Sequence, residues 1–408
     1  VKLLRSSSSF ILLRNRDFRH LWISNGLWWL GLGVELVLFG WLALELTNSP
    51  WMVALLGFIR AAPHLLGVFT SAITDRFRRR DLLIVLQAII VSGISILAVL
   101  SWFGSLMYWH LAVISLIHGT CWTLDWSTRR SLYPDLVGKE RIIDAMLLDN
   151  VILNIARCLG PMLGGILISY SGVRGAFLLN VLFVAGGLVL LLSLRTTARA
   201  PSSPSGPKDA YRRLVEGLHY VRRKPRIRGV LLITLFMNMW VFPFLTLVPV
   251  FVRDILGRGP VSLGAMTSTF GLGTLVGLLA VRWFRRYRGD SMIFAAGSLV
   301  CAVGFASFSF SGIFELSLAL IFIAGIGTAG FSVMQSGIIL SDSSSEMRGR
   351  SMAAAVLAIG GAPLGALQSI GMVFFFGAPA TVAMMSLLGF AGIAAVSLYL
   401  PGFFGSER

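Results

Sequence analysis

The sequence predicts an all-α membrane protein, with twelve transmembrane helices in two parallel six-helix repeats around a central cavity. Three observations carry this prediction. Hydrophobic residues make up 56% of the 408 positions and charged residues only 13%, where a soluble domain carries about 25% charged, and the mean hydropathy is +0.81. Twelve apolar runs approach the ~20 residues that a helix needs to cross a bilayer. Lysine and arginine are concentrated in alternate loops between those runs. A soluble enzyme, a secreted disulfide scaffold and a disordered chain are all excluded.

The runs fall near 21–46, 51–73, 82–103, 107–128, 148–170, 176–194, 229–251, 261–281, 291–311, 316–340, 351–374 and 379–400. Placing the N-terminus in the cytoplasm puts 30 of the 35 Lys and Arg residues in inner loops and tails. Only Arg174, Arg253 and Arg258 then lie outside, while Arg60 and Arg157 fall within runs. This asymmetry predicts a multi-pass protein of the plasma (inner) membrane with both termini cytoplasmic. It also explains the net charge of +17 and the pI of about 11.0 without a nucleic-acid partner, because basic loops face an anionic inner leaflet. The basic start, with its short apolar patch Phe10–Leu13 and no small-residue cleavage pattern, reads as a cytoplasmic tail before an uncleaved first span. Cys121, Cys158 and Cys301 are scattered through apolar runs and suggest neither disulfides nor a metal site.

Residues 195–228 interrupt the pattern. They open Pro/Ser-rich and continue as an amphipathic helix, with Tyr211, Leu214, Val215, Leu218 and Val221 on one face and arginines on the other, expected to lie on the membrane surface. The stretch divides the chain into an N-terminal six-helix bundle at 1–194 and a C-terminal one at 229–408. The halves echo each other: the first has Gly160-Pro161-Met162-Leu163-Gly164, the second Ala362-Pro363-Leu364-Gly365, and an arginine run follows the second and eighth spans.

Ionisable residues at bilayer depth are functional candidates, since placing one there costs roughly 2.5–3.5 kcal/mol or more. Glu35, Arg60, His64, His118 and Arg157 lie near mid-span, with Asp125 closer to an inner end; all belong to the first half. Glu35 is the leading candidate for proton coupling, with Arg60 or Arg157 as its partner; the alternative is a static ion pair holding three spans together. Asp125, near Arg129 and Arg130, is a second protonation candidate or a gate pair. Arg60 and His64 stand one turn apart around Pro63, which favours a kink. They are placed either to bind an anionic group of a substrate or to satisfy Glu35 and helix carbonyls. His118 reads as a hydrogen-bonded packing residue. Arg157 lies three residues before the Gly-Pro break, within reach of a cavity.

Asn25 and Asn238 are candidate polar contacts with a substrate, or else packing hydrogen bonds. Trp28 and Trp240, with Trp29, Trp41, Trp122 and Trp126, are candidates to line a cavity for a flat molecule, whereas tryptophans near span ends anchor the lipid interface. The second half is nearly free of charge and rich in Gly, Phe and Met, an adaptable apolar wall. Gly271-x-Gly273-x-x-x-Gly277 lies inside an apolar run and is a packing face rather than a nucleotide fingerprint. No phosphate-binding Gly-Lys-Ser/Thr loop, metalloprotease motif or nucleophile elbow is present, so neither ATP use nor an enzyme active site is expected, and no cofactor or metal.

After the second span the chain reads Ser71-Ala-Ile-Thr-Asp75-Arg76-Phe77-Arg78-Arg79-Arg80. This resembles the signature loop of the major facilitator superfamily, with Asp75, Arg76, Arg79 and Arg80 matching and Ser71 and Arg78 in place of two glycines. Gly160, Pro161, Gly164 and Gly165 fit the core of that superfamily's proton-antiporter motif. Arg16-Asp17-Phe18-Arg19, Ser131 to Val137, Asn154-x-x-Arg157-x-x-Gly160-Pro161, Leu247 to Phe251 and Arg348-Gly349-Arg350 are similar to the branch of enterobactin exporters and macrolide efflux transporters. The resemblance implies a secondary transporter exporting a small amphipathic molecule, a drug or siderophore-like metabolite, by proton antiport. It implies gating roles for Asp75, Arg76, Arg79, Gly160, Pro161, Gly164 and Gly165, with a small molecule, protons and the bilayer as partners of a monomer. The residues leave two other readings open: a proton-coupled importer of an anionic nutrient, permitted by Arg60 and Arg157, and a non-transporting membrane sensor or scaffold.

Overall fold

The computed structural model describes residues 11–69, 77–138, 141–195, 207–344 and 346–405. The described residues are overwhelmingly helical, and no strand occurs among them. Helix α1 (Arg16–Thr47) starts where the Asn15 side chain accepts hydrogen bonds from the backbone N–H groups of Asp17 and Phe18, and ends at Asn48 in the left-handed region. At 1.5 Å per residue its 32 residues span about 48 Å, longer than the ~30 Å hydrocarbon core. Helix α2 (Pro50–Ala61) gives way to a 3-10 run at Ala62–Phe69. The change falls at Pro63, where a proline withdraws a donor, and it realises the expected kink. Helices α3 (Arg79–Trp102) and α4 (Tyr108–Val137) follow.

Helix α5 (Ile142–Leu192) turns back on itself at Gly172, whose φ of 68° suits a residue without a Cβ, so its arms 142–171 and 173–192 are two crossings. Helix α6 (Pro207–Arg222) precedes α7 (Pro225–Phe236). Beyond Phe236 the chain proceeds through π turns at Met237–Val241 and Phe251–Ile255 and a 3-10 turn at Phe242–Thr246. Pro243 and Pro249 force that irregularity. Helices α8 (Pro260–Phe284), α9 (Asp290–Ser309), α10 (Phe314–Asp342), α11 (Arg348–Ile359) and α12 (Ala362–Tyr399) complete the bundle. α12 is bent back at Gly377, with φ 75°.

Eight helices among the described residues are long and apolar enough to cross a membrane. Two of these contain the hairpin bends at Gly172 and Gly377, so each carries two of the expected runs. The other two expected runs are α2, which is broken by its 3-10 turn, and α4, which carries Asp125, Arg129 and Arg130.

α1 packs along α5, and α3 along α5 and α4; α10 packs against both α8 and α9, with α12 against α9. The main contacts joining these groups are α5 on α8 and α2 on α12, with a smaller one of α1 on α8. Helix α6 docks on α11 and the 62–69 turn. Glu216 pairs with Arg350 at 3.1 Å, and the Tyr220 hydroxyl accepts from the Ser344 N–H. Val221 is buried there, whereas Val215 and Leu218 are exposed. The helix thus uses one face to brace the start of α11.

Candidate functional site

The bundle holds a cavity of about 450 Å³ between α1, α2, α4 and α5 on one side and the irregular 242–248 segment, α8 and α10 on the other. A second cavity of about 220 Å³ adjoins it, sharing Leu36, Arg60, Trp122, Leu245, Val248 and Thr267. The larger volume lies within the range of small-molecule sites, roughly 300–1,000 Å³. Its wall is mainly apolar and aromatic, and Arg60 and Arg157 are the charged side chains on it.

Behind Arg60 lies a buried three-residue cluster. The Arg60 guanidinium donates to Glu35 Oε1 at 2.7 Å, and His118 Nδ1 lies 3.1 Å from the same oxygen. Glu35 and His118 are each 3% exposed, whereas the Arg60 side chain keeps 24% of its surface open. Arg60 therefore bridges a sequestered carboxylate and the cavity wall. Gly119 lets α4 approach the backbone of Arg60 closely. Glu35 thus has Arg60 as its partner rather than Arg157. His118, read from sequence as a packing residue, supplies the carboxylate's second partner. His64 turns its Nδ1 to the Ala61 carbonyl at 2.9 Å, stacks edge-on against Trp122, and lines the smaller cavity.

Arg157 is exposed on the larger cavity, and among the described residues no carboxylate or hydrogen-bond acceptor partners it. Pro161, one turn further, lines the same wall. The glycines around it split their work. A Cβ at Gly160 would sit 2.9 Å from the Leu30 carbonyl, and one at Gly164 would sit 3.1 Å from Val34 Cα, so both face α1. Gly165 instead meets Gly264 of α8, where a Cβ at Gly264 would lie 3.2 Å from Gly165 Cα. Gly271 meets the Arg157 carbonyl, whereas Gly273 and Gly277 pack on α10, realising the expected packing face.

A second polar cluster lies nearer the ends of the helices that carry the basic loops. Arg129 donates to Asp125 at 2.6 Å, to Asn25 at 2.8 Å and to Gln87 at 2.5 Å. The Asn25 amide donates in turn to Tyr133 and Asp149, tying α1, α3, α4 and α5 together. Asp125 is 1% exposed, and its Oδ1 has no hydrogen-bond partner among the described residues. Arg130 stacks on Trp126 rather than joining Asp125.

Asn25, Trp28, Asn238 and Trp240 do not line either cavity. Trp28 lies under Arg129; Asn238 donates to the Thr234 carbonyl in the π turn; Trp240 donates to Gln368. Trp29 and Trp122 furnish the cavity's indoles instead. Asp75 and Arg76 lie outside the described residues. Arg79 pairs with Asp135 at 2.6 Å and donates to the Ser131 carbonyl, clamping the start of α3 to the end of α4.

The comparisons with known proteins agree with this architecture. The family model described as transmembrane secretion effector matches residues 7–400. The chain is 22% identical over 282 residues to macrolide efflux protein A of Enterococcus faecalis, covering 69% of this chain and 85% of that protein. It is 24% identical over 189 residues to the enterobactin exporter EntS of Salmonella choleraesuis, covering 46% of this chain and 45% of that protein. Among solved structures, the nucleoside transporter NupG superposes with a TM-score of 0.73 at 12% identity, covering 94% of this chain and 99% of that one. The D-xylose–proton symporter superposes with a TM-score of 0.69 at 15% identity, covering 96% and 99%. The protein is a multi-pass membrane transporter and not an enzyme, and the chain belongs to the transmembrane secretion effector family of the major facilitator superfamily.

Proposed function

We propose that the protein exports a small amphipathic molecule in exchange for protons, by alternating access of the central cavity. The halves 1–194 and 229–408, joined by 195–228, rock against each other, with the basic loops on the cytoplasmic side. The observation that carries the reading is the Arg60–Glu35–His118 cluster, a buried carboxylate whose guanidinium partner also forms part of the cavity wall. A proton on Glu35 removes its charge and weakens the 2.7 Å bond, leaving Arg60 free to turn towards the cavity. Loss of the proton draws Arg60 back. Proton state thereby alters the wall that a substrate meets, which is the differential interaction that a coupled transporter needs. His118 Nδ1 lies 3.1 Å from the same carboxylate oxygen and holds it in place. Asp125, held by Arg129, is the second proton candidate.

The gates follow from packing. Away from the basic loops, Gly165 and Gly264 bring α5 and α8 into backbone contact and close one mouth. Gly160, Pro161 and Gly164 let α5 slide closely on α1. Asp75 and Arg76 act with Arg79 at the cytoplasmic mouth, where the Arg79–Asp135 pair holds α3 to α4. The relatives named for macrolide efflux and enterobactin export support the outward direction.

A second reading is favoured by Arg157, exposed on the cavity without a partner among the described residues. If the cargo is an anionic nutrient, a proton on Glu35 adds Arg60 as a second cation for it, and cargo and proton enter together. Growth of an expressing strain against a panel of toxic compounds, a macrolide included, tests export. Resistance that vanishes on Glu35→Gln supports it. Greater sensitivity, with net uptake of the compound, supports import and refutes export.

A further inference from the structure

The charge pattern of the larger cavity identifies a substrate class. This rests on reading that cavity as the substrate site, but not on the direction of flux. We propose that the cavity takes an organic anion with a flat apolar body, and that Arg157 is the residue on which the anionic group sits.

Four features of the wall point the same way. First, its charged side chains are both arginines, and no acidic residue among the described ones lines it. Second, the two arginines are not equivalent. Arg60 is committed to Glu35 at 2.7 Å, whereas Arg157 presents an exposed guanidinium that, among the described residues, neither pairs nor hydrogen-bonds. A charge held at this depth without a partner attracts an anion, since the apolar wall around it screens less than bulk water does. The planar fork of a guanidinium suits two oxygens of one carboxylate.

Third, the position of Arg157 is fixed. Its carbonyl lies against Gly271 of α8, at 3.0 Å from where a Cβ would stand, and Pro161 follows one turn later. The side chain therefore projects from a braced segment rather than a loop. Fourth, the rest of the wall fits a flat ring system. Trp29, Trp122, Phe242, Phe270 and Phe331 supply aromatic surface from five of the surrounding segments. The wall hydroxyls of Thr267, Thr274, Thr328 and Ser332 already donate to helix carbonyls. That leaves Arg157 and the unpartnered indole N–H of Trp122 among the described donors of the wall, and of the two Arg157 carries the charge that specifies an anionic end. An ammonium would meet two cations and no anion, so the cavity selects against cations.

The test uses three probes that share one ring system: 1-pyrenebutyrate, 1-pyrenebutanol and 1-pyrenebutylamine. Each is titrated into the purified full-length protein in a nonionic detergent, with pyrene fluorescence as readout and protein-free micelles as the blank. The wild type is expected to bind the butyrate at least about tenfold more tightly than the alcohol or the amine. Arg157→Gln should bring the butyrate down to the level of the alcohol, and Arg157→Lys should fall between, keeping the charge but losing the fork. Equal binding of all three probes by the wild type, or undiminished butyrate binding by a folded Arg157→Gln protein, overturns the proposal. If Arg157→Gln does not fold, discrimination among the probes by the wild type decides the matter alone. Absence of proton-driven flux in vesicles would refute the transport reading and leave the probe result standing; equal binding of the probes would do the reverse.

Discussion

Glu35→Gln removes one charge and little else. The glutamine carbonyl still accepts from Arg60 and His118, which now meet at Oε1 at 2.7 and 3.1 Å. What is lost is the ion pair. Breaking a fully buried pair costs roughly 3–5 kcal/mol, but the Arg60 side chain is 24% open to the cavity. With the neutral hydrogen bond retained, the loss falls to about 1–3 kcal/mol, so the variant folds. The functional effect is much larger. One proton moved down 100 mV supplies about 2.3 kcal/mol, which at ~1.4 kcal/mol per tenfold is an accumulation of about fortyfold. A side chain that cannot bind and release a proton forfeits that whole ratio. In inverted vesicles energised by respiration, with a compound chosen by the growth panel, the wild type should accumulate the compound many-fold. The variant should equilibrate it to a ratio near one, yet still exchange labelled for unlabelled compound. Accumulation of about fortyfold by the Glu35→Gln protein would refute the assignment of Glu35 as the proton carrier.

Other perturbations separate coupling from architecture. His118→Gln keeps a hydrogen-bond donor beside Glu35 but removes the imidazole; it should shift the pH profile of transport while leaving the thermal melt nearly unchanged. Asp125→Asn breaks a pair in which both side chains are almost wholly buried, so stability should fall by roughly 3–5 kcal/mol, read as a lower melting temperature and as weaker hydrogen-exchange protection in α4. Gly264→Ala puts a methyl against the backbone of α5 at Pro161, Met162 and Gly165; it should open the α5–α8 seam, measured as faster labelling of a cysteine introduced there. Glu216→Ala severs an exposed contact between α6 and α11, so stability should change by no more than about 1 kcal/mol in a denaturant titration.

The helices were legible because the bilayer imposes a simple rule, apolar length between basic loops, and the chain obeys it. Pro63 announced the 3-10 segment, because a missing donor is a local property. The acid in the first span announced a cationic partner, because a lone buried carboxylate is costly. Which arginine would serve was not readable. Arg60 and Arg157 lie on different helices, and only packing, with Gly119 drawing α4 onto the Arg60 backbone, decides between them. His118 was read as a packing residue for the same reason: a histidine in an apolar run carries no mark of what faces it. The Asn25–Arg129–Gln87–Asp149 network needs four helices in register, and nothing in any one run signals the other three. Of the neighbouring candidates Trp28 and Trp29, Trp29 lines the cavity and Trp28 does not, because adjacent residues point about 100° apart on a helix.

The most direct test is the direction of proton movement that accompanies the cargo. Inverted vesicles containing the purified protein are loaded with a pH dye and given an acidic lumen, and the compound is then added outside. Proton exchange requires the lumen to become more alkaline as the compound accumulates inside, with both signals lost in Glu35→Gln. Compound failing to accumulate inside, or accumulating with no change in lumen pH, would contradict proton-driven export.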